Sequence, residues 1–123
     1  FSLIKCDLKM MWFLQKKLET IIGQHEFVGD IRGRGLFRGI EIVKDRDTKD
    51  PFEKNLNIAG KIKKEALDMG LICYPMQGTV NGILGDHILI APPFIINQNE
   101  MDELCEKLKK TIDNVCYNSW LNP

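Results

Sequence analysis

The first stretch of the chain, residues 3–22, has the spacing of an amphipathic helix. Its apolar residues fall on one broad arc when plotted at about 100° per residue: Leu3, Ile4, Leu8, Met10, Met11, Leu14, Leu18, Ile21 and Ile22. Trp12 and Phe13 lie on opposite flanks of that arc. The helix therefore presents more apolar surface than one neighbouring sheet covers, and we expect it to contact two bodies.

Two extended segments are predicted next, over residues 28–31 and 36–43, joined through Arg32-Gly33-Arg34-Gly35. Glycine suits such a connection because it accepts a positive φ and lets backbones approach closely. Residues 44–55 are polar, carry many charges and include Pro51, which predicts an exposed loop. A second helix is expected over residues 56–69, with Gly70 at its C-cap.

Two short segments, residues 71–74 and 87–91, are apolar at nearly every position, which is typical of strands covered on both faces. Between them, residues 75–86 contain several glycines and predict a loop. Pro92-Pro93 is expected to end the second of these strands, because proline has no N–H to donate.

The last helix is predicted to begin where Asn97 and Glu100 have the spacing of a capping box. Its apolar residues recur at three- and four-residue steps: Met101, Leu104, Cys105, Leu108, Ile112, Val115 and Cys116. The order α-β-β-α-β-β-α predicts an α+β fold in which helices cover a small, mostly antiparallel sheet. The two-sided strands suggest that something covers the other face of that sheet as well.

The length of 123 residues allows one domain, residues 1–123, with a single core. Because 17 basic residues balance 17 acidic ones, the charge argues against capture of nucleic acid or of an anionic membrane. No apolar run approaches the roughly 20 residues that span a bilayer, so the expected compartment is the cytoplasm. The chain begins with Phe1 inside an apolar segment, and we expect it to be a piece of a longer protein.

Four cysteines, Cys6, Cys73, Cys105 and Cys116, are scattered without paired spacing, and neither histidine is near them in sequence. Zinc sites usually show closer pairs. We therefore expect reduced thiols that behave as small apolar residues, and no metal site.

Two groups of polar residues could carry chemistry. Arg32 and Arg34 between glycines could hold a phosphate, but the glycine spacing of a dinucleotide site is incomplete because Arg38 stands at its third position. We expect structural glycines and an arginine held by a carboxylate. Asp86 and His87 could transfer protons, yet adjacent strand residues point to opposite faces, so we expect a capping aspartate and a half-buried histidine.

Several phrases together resemble the C-terminal part of class III aminotransferases, which are fold type I enzymes dependent on pyridoxal 5'-phosphate. These phrases occur in the same order from about residue 8 to residue 116: Val28-Gly29-Asp30-Ile31-Arg32-Gly33-Arg34-Gly35-Leu36, Gly39-Ile40-Glu41, Gly70-Leu71 leading to Tyr74-Pro75, Gly85-Asp86-His87 leading to Ala91-Pro92-Pro93, and the helix capped by Asn97.

The resemblance implies a small C-terminal domain that packs on an N-terminal large domain and helps to close the active site of a homodimer. The large domain of such enzymes supplies the Schiff-base lysine, the acidic partner of the pyridinium nitrogen and the phosphate cup. We therefore expect no catalytic and no cofactor-binding residue in this chain, and a transamination between an amine or amino acid and a 2-oxo acid that the fragment alone does not perform.

The family's small domain often contributes an arginine to the substrate carboxylate. The matching positions here carry Tyr74, Gly82 or Leu84, and the chain has no arginine after Arg46. The missing arginine would be explained by an enzyme that favours a different amino acceptor, or by binding of the substrate carboxylate to residues of the large domain. By the same resemblance we expect Tyr74, Met76 and Leu84 to line the substrate pocket, although they could instead only plug the edge of the sheet.

Two other functions stay open at this point. A free-standing α+β module that binds a ligand or partner would keep the second face of its sheet polar or covered, whereas a separated small domain would expose an apolar patch there. RNA binding through Arg32 and Arg34 would show affinity that falls steeply with salt.

Overall fold

A computed structural model of the chain describes residues 2–34, 37–71, 73–80, 84–90 and 97–121, with the side chains of residues 2–8, 10, 34, 79, 80 and 84 outside that description. The described ranges contain three α-helices: α1 (Ser2–Lys17), α2 (Ile58–Asp68) and α3 (Gln98–Leu121). Four strands form one sheet: β1 (Val28–Arg34), β2 (Phe37–Ile42), β3 (Tyr74–Val80) and β4 (Leu84–Ile90). The predicted α-β-β-α-β-β-α order and α+β class are confirmed.

The sheet has the strand order β1-β2-β4-β3, and every neighbouring pair is antiparallel. The β1–β2 and β3–β4 hairpins each contribute one edge strand and one central strand. The central strands β2 and β4 pair with each other in the middle of the sheet. A bulge interrupts the β1–β2 register between Val28 and Asp30, and another interrupts the β3–β4 register between Gln77 and Val80. These irregularities twist both edges of the sheet.

Helix α1 continues into a single π-helical turn, Leu18–Ile22, which closes with a 2.6 Å hydrogen bond from the Gly23 N–H to the Leu18 carbonyl. Leu14, Leu18 and Ile22 recur every four residues and are fully buried. This confirms the predicted amphipathic helix. The two flanks of its apolar arc differ in burial: Trp12 is exposed, whereas Phe13 is partly buried against the core.

Helix α2 begins at Ile58, two residues after the predicted start, and ends at Asp68, one residue before the predicted end. Gly70 follows the C-cap residue Met69 with a φ of 79°. The Leu71 N–H donates to the Ala66 carbonyl at 2.7 Å, and the Gly70 N–H donates to the Leu67 carbonyl at 3.0 Å. These two bonds form a Schellman motif, which satisfies carbonyls at the helix terminus.

Helix α3 begins with the predicted capping box. The Asn97 side chain accepts from the Glu100 N–H at 2.8 Å, and the Glu100 carboxylate accepts from the Asn97 N–H at 3.2 Å. Its buried face then packs on α2 and on the π-helical turn.

The region after α2 differs from the prediction. Among the described residues of the predicted strand 71–74, only Tyr74 lies in a strand. Residues 75–80 and 84–86, for which the sequence predicts a loop, belong to strands: β3 begins at Tyr74, runs through Pro75 and pairs with β4. Pro75 is tolerated because β3 is an edge strand, where a missing N–H need not break a ladder. Leu71 and Cys73 are buried core residues that precede the strand.

The first hairpin also differs. Strand β1 continues to Arg34, so Arg32 and Gly33 belong to the ladder rather than to a connection. The 44–55 region is largely the predicted loop, with a bridge between Asp45 and Asp50 and one 3-10 turn, Lys54–Leu56. Phe52 within it is buried against Phe27, with ring centroids 5.6 Å apart.

The core lies between the helices and one face of the sheet. That face contributes Val28, Ile40, Ile42, Ile88 and Ile90, while the helices contribute the buried residues Leu14, Leu18, Ile62, Ala66, Met101, Leu108 and Ile112. None of the helices in the described ranges has the length of apolar sequence that a membrane span requires. The predicted stop at Pro92-Pro93, together with Gly35, Leu36, Ile72 and Gly82, lies outside the described residues.

Candidate functional site

The second face of the sheet is not covered by any helix of the described chain, and we call it the open face. The register assigns its residues to cross-strand rows. One row runs through Asp30, Glu41, His87 and Met76, and the next through Arg32, Gly39, Leu89 and Tyr74, with Phe37 beyond them on β2. Alternation along each strand places these residues opposite the buried isoleucines.

The open face carries large apolar side chains in contact with solvent. Phe37 is 54% exposed, Tyr74 58% and Met76 47%, and Leu89 between them is half-buried. Two of the three predicted pocket residues, Tyr74 and Met76, thus lie on one face of β3. Leu84 opens β4 opposite Val80, and its side chain lies outside the described part of the chain.

Sequence reasoning missed Phe37, Gly39 and Leu89 as members of this surface. The signal was the alternation within β2: Ile40 and Ile42 are buried, so the intervening odd-numbered positions must point the other way. At Gly39 an added Cβ would lie 3.6 Å from Leu89 Cδ2. The centre of the open face is therefore shallow, and it has room for a small side chain or for a group from another body.

An ion cluster occupies the β1 side of the open face. Arg32 Nε lies 3.0 Å from Asp30 Oδ2, and Arg32 Nη2 lies 3.4 Å from Glu41 Oε2. The predicted arginine held by a carboxylate is confirmed, with two carboxylates instead of one. A guanidinium already engaged in this way is a poor free site for phosphate.

Asp86 and His87 point to opposite sides of β4, as predicted. Asp86 is buried on the helix side and accepts from the Ala59 N–H at 3.3 Å, at the start of α2. Burial raises the pKa of its carboxyl above the ordinary value, although the hydrogen bond from Ala59 acts in the opposite direction. His87 is half-buried on the open face, so the two residues form no proton-transfer pair.

A second polar cluster ties the end of α3 to the residues before β1. The Phe27 N–H donates to His25 Nδ1 at 3.1 Å, which places the proton of the neutral ring on Nε2, and Nε2 contacts Asp113. Burial works to raise the pKa of Asp113, but hydrogen bonds from His25 and Lys109 outweigh it and lower the pKa. Nothing in the sequence spacing pointed to this pair.

An open cleft of about 440 Å³ lies beside this cluster, with Phe27, Tyr117 and Trp120 among its lining residues. The Tyr117 hydroxyl donates to Glu26, whose carboxylate raises the pKa of the phenol to about 12. Lys44 lies over the Trp120 ring and 3.4 Å from Glu53. The charged groups at Lys44, Glu26 and Glu53 are thus already paired within the domain.

The described cysteines, Cys73, Cys105 and Cys116, are buried free thiols. Burial raises their pKa to about 11, 11 and 12 respectively. They are therefore protonated at neutral pH and behave as small apolar core residues, as predicted. The side chain of Cys6 lies outside the described part of the chain.

Comparison with known proteins gives consistent results. The family model for class-III aminotransferases matches residues 3–112. An uncharacterized aminotransferase of Schizosaccharomyces pombe is 44% identical over 110 residues, covering 89% of this chain and 24% of the relative. A leucine/methionine racemase of Thermococcus litoralis is 34% identical over 114 residues, covering 93% of this chain and 24% of the relative.

The fold agrees with a solved structure. An aminotransferase from Vibrio fluvialis in its PMP-bound form superposes with a TM-score of 0.82 and 30% identity, covering 96% of this chain and 24% of that one. The chain therefore spans about a quarter of the length of the curated relatives it matches. Since sequence and fold agree over most of its residues, the chain belongs to the class-III aminotransferase family.

Proposed function

We propose that the chain is the C-terminal small domain of a transaminase that uses pyridoxal 5'-phosphate to move an amino group from an amine or amino acid to a 2-oxo acid. The observation that carries the proposal is the family match over residues 3–112, joined to a fold neighbour that binds PMP. A large N-terminal domain holds the cofactor in this proposal, and the 123 residues alone do not transfer amino groups.

The described residues do not fit the cofactor itself. The four strands contain no lysine, so the open face offers no amine for a carbonyl. The lysine side chains of the described chain lie half-buried or exposed at the surface. The cofactor's contacts therefore belong to another part of the full-length protein.

The open face is the surface that we assign to the large domain. Exposed aromatic and thioether side chains on one sheet face, at Phe37, Tyr74 and Met76, are typical of a buried interface. A free-standing binding module would keep that face polar or cover it with its own residues. The exposed apolar side chains on the open face therefore favour a domain whose open face is covered by another part of a larger protein. The fold type I architecture, the homodimer and the cytoplasmic compartment belong to the same proposal, and the three described reduced thiols are compatible with a reducing compartment.

We assign Tyr74, Met76 and Leu84 to the wall of the substrate pocket. Tyr74 and Met76 share one face of β3, and Leu84 begins the strand that pairs with it. Substituting Leu84→Arg in the full-length enzyme is expected to shift the preference among amino donors and 2-oxo acids toward those with a carboxylate near the new guanidinium, by about tenfold in kcat/KM. An unchanged preference would remove Leu84 from the pocket.

Amino transfer is tested on the full-length protein loaded with pyridoxal 5'-phosphate. A primary amine and a 2-oxo acid are supplied together, and the expected products are the carbonyl compound from the donor and the amino acid from the acceptor, in equal amounts. If neither product forms with any of a panel of amines and amino acids, the proposed reaction is wrong.

Racemisation is the second candidate, because one relative that covers 93% of this chain is a leucine/methionine racemase. Supplying L-leucine without any 2-oxo acid distinguishes racemisation from transamination. A racemase accumulates D-leucine under that condition, whereas a transaminase stops after one turnover because no acceptor regenerates the cofactor. We expect the transaminase result.

A further inference from the structure

The start of helix α2 is attached to the β3–β4 hairpin by two side-chain hydrogen bonds, one buried and one exposed. Asp86 on β4 is 5% exposed and accepts from the Ala59 N–H in the first turn of α2. Gln77, which is paired with Asp86 in the sheet register, donates from Nε2 to the Asn57 side chain at 3.2 Å. Two strands of one hairpin therefore hold the same end of one helix.

The helix depends on these contacts because it lacks a cap of its own. Asn57 stands at the N-cap position with φ 50° and ψ 52°, and its side chain makes no capping hydrogen bond. Helix N-termini leave N–H groups without partners, and Asp86 supplies one acceptor from across the domain. The Asn57 side chain lies where a Cβ at residue 60 would stand, so Gly60 makes room for it.

The other face of the same hairpin carries Tyr74 and Met76, two of the residues assigned to the substrate pocket. Met76 is adjacent to Gln77 on β3, and His87 is adjacent to Asp86 on β4. Gly78 and Gly85 follow and precede the Gln77–Asp86 pair with φ of 89° and 91°, so the regular ladder ends at this pair. The anchor thus lies at the last regular rung before the irregular end of the hairpin.

We propose that Asp86 is a positioning residue, which holds the β3–β4 hairpin against the N-terminus of α2 so that Tyr74 and Met76 face the substrate. The inference rests on the proposed function. The buried carboxylate acts through the backbone of the hairpin and does not touch the reacting groups.

The burial of Asp86 is unfavourable unless its side chain has a partner. Desolvation raises the pKa of its carboxyl, because burial disfavours the charged form, and the hydrogen bond from the Ala59 N–H works in the opposite direction. That hydrogen bond also satisfies an N–H in the first turn of α2, which would otherwise lack an intrahelical partner. The contact with the helix N-terminus therefore gives a structural reason for an acidic side chain at this buried position.

The test compares Asp86→Ala and Asp86→Asn in the full-length, cofactor-loaded protein. Alanine removes the acceptor, and we expect KM for the amino donor to rise about tenfold while kcat changes less than twofold. Asparagine keeps an oxygen in the same place, and we expect it to recover most of the KM. Gln77→Ala should raise KM about threefold, and the exposed carboxylate in Asp68→Ala is the matched control, with no change expected.

Hydrogen exchange decides the case independently of turnover. We expect the Ala59 amide and the amides of β3 to exchange at least ten times faster in Asp86→Ala than in the parent, with no acceleration in Asp68→Ala. Exchange rates unchanged in Asp86→Ala would overturn the anchoring, and unchanged KM in both Asp86 variants would overturn the positioning role. A parent protein that turns over no donor would defeat the proposed function, and the exchange experiment would still decide whether Asp86 holds the hairpin.

Discussion

His25 and Asp113 show how single residues join distant parts of this chain. The two residues are 88 positions apart, and the ring is fixed from both sides by the Phe27 N–H and the Asp113 carboxylate. Lys109 Nζ adds a cation 3.1 Å from Asp113 Oδ2, one helical turn away on α3. The pair therefore fixes the last turns of α3 to the start of the sheet.

Replacing Asp113→Asn should destabilise the chain by about 1.5 kcal/mol at pH 7, the scale of a hydrogen bond to a charged group. The pKa of Asp113 is lowered in the fold, so its contribution is complete above the ordinary value of 3.8 and is lost as the pH falls through the lower folded pKa. Urea unfolding at pH 7 and at pH 2.5 measures the difference.

The gap between parent and variant should be largest at pH 7 and smaller at pH 2.5, because protonation of Asp113 removes its charge as the pH falls. Asp68→Asn, at an exposed carboxylate on α2, is the control and should match the parent at both values. A gap of equal size at both pH values would show that the asparagine acts by packing rather than by charge.

At the scale of elements, two helix ends are set by local chemistry. The capping box at Asn97 and the Schellman motif at Gly70 both follow from side chains and backbone angles within a few residues. This explains why the start of α3 and the end of α2 could be predicted from spacing alone, whereas the start of α2, which Asp86 contacts from across the sheet, lies two residues later than predicted.

Gly70→Ala should destabilise the chain by about 1 kcal/mol, because alanine is strained at a φ of 79°. Space is not the reason: an added Cβ would meet only Lys107 Nζ, at 3.8 Å. Gly39→Ala is the matched control, since its Cβ would make an ordinary contact at 3.6 Å without a positive φ. Thermal unfolding of both variants checks this, and equal losses at the two positions would refute the strain argument.

The β3–β4 hairpin could not be predicted in the same way. Pro75 and Gly78 are typical of loops, yet β3 tolerates both because it lies at the edge of the sheet and bulges after Gln77. Edge position is a property of the assembled sheet rather than of the segment. The anchor between Asp86 and Ala59 has the same origin, because these residues are 27 positions apart and meet only after folding.

At the scale of the whole molecule, one face of the sheet is buried by helices and the other face is exposed. The helices bury one face of the sheet, while the open face exposes Phe37, Tyr74 and Met76 beside the Arg32 cluster. The sequence predicted that a second body covers this face because its strands are apolar on both sides. The identity of that body rests on the proposal that a cofactor-binding domain precedes this one.

Phe37→Asp in the full-length protein should weaken the packing of this domain on the rest of the enzyme. The expected result is a thermal midpoint lowered by several degrees and faster proteolytic release of the C-terminal domain, because a carboxylate would be buried without a partner. Leu67→Asp, at an exposed apolar residue on the helix side, is the control and should behave as the parent. Equal effects at both positions would place the covered surface elsewhere.

Oxidative footprinting of the full-length protein tests the central claim most directly, because it reports whether the open face is covered. Hydroxyl radicals label Met76, Tyr74 and Phe37 in proportion to their exposure, and peptides of the same sequence give the unprotected rates. We predict at least tenfold protection of Phe37 in the intact enzyme, and weaker protection of Tyr74 and Met76, because these two residues line the substrate pocket. Labelling of Phe37 at about half the unprotected rate, as its exposure of 54% in this domain implies, would contradict the account.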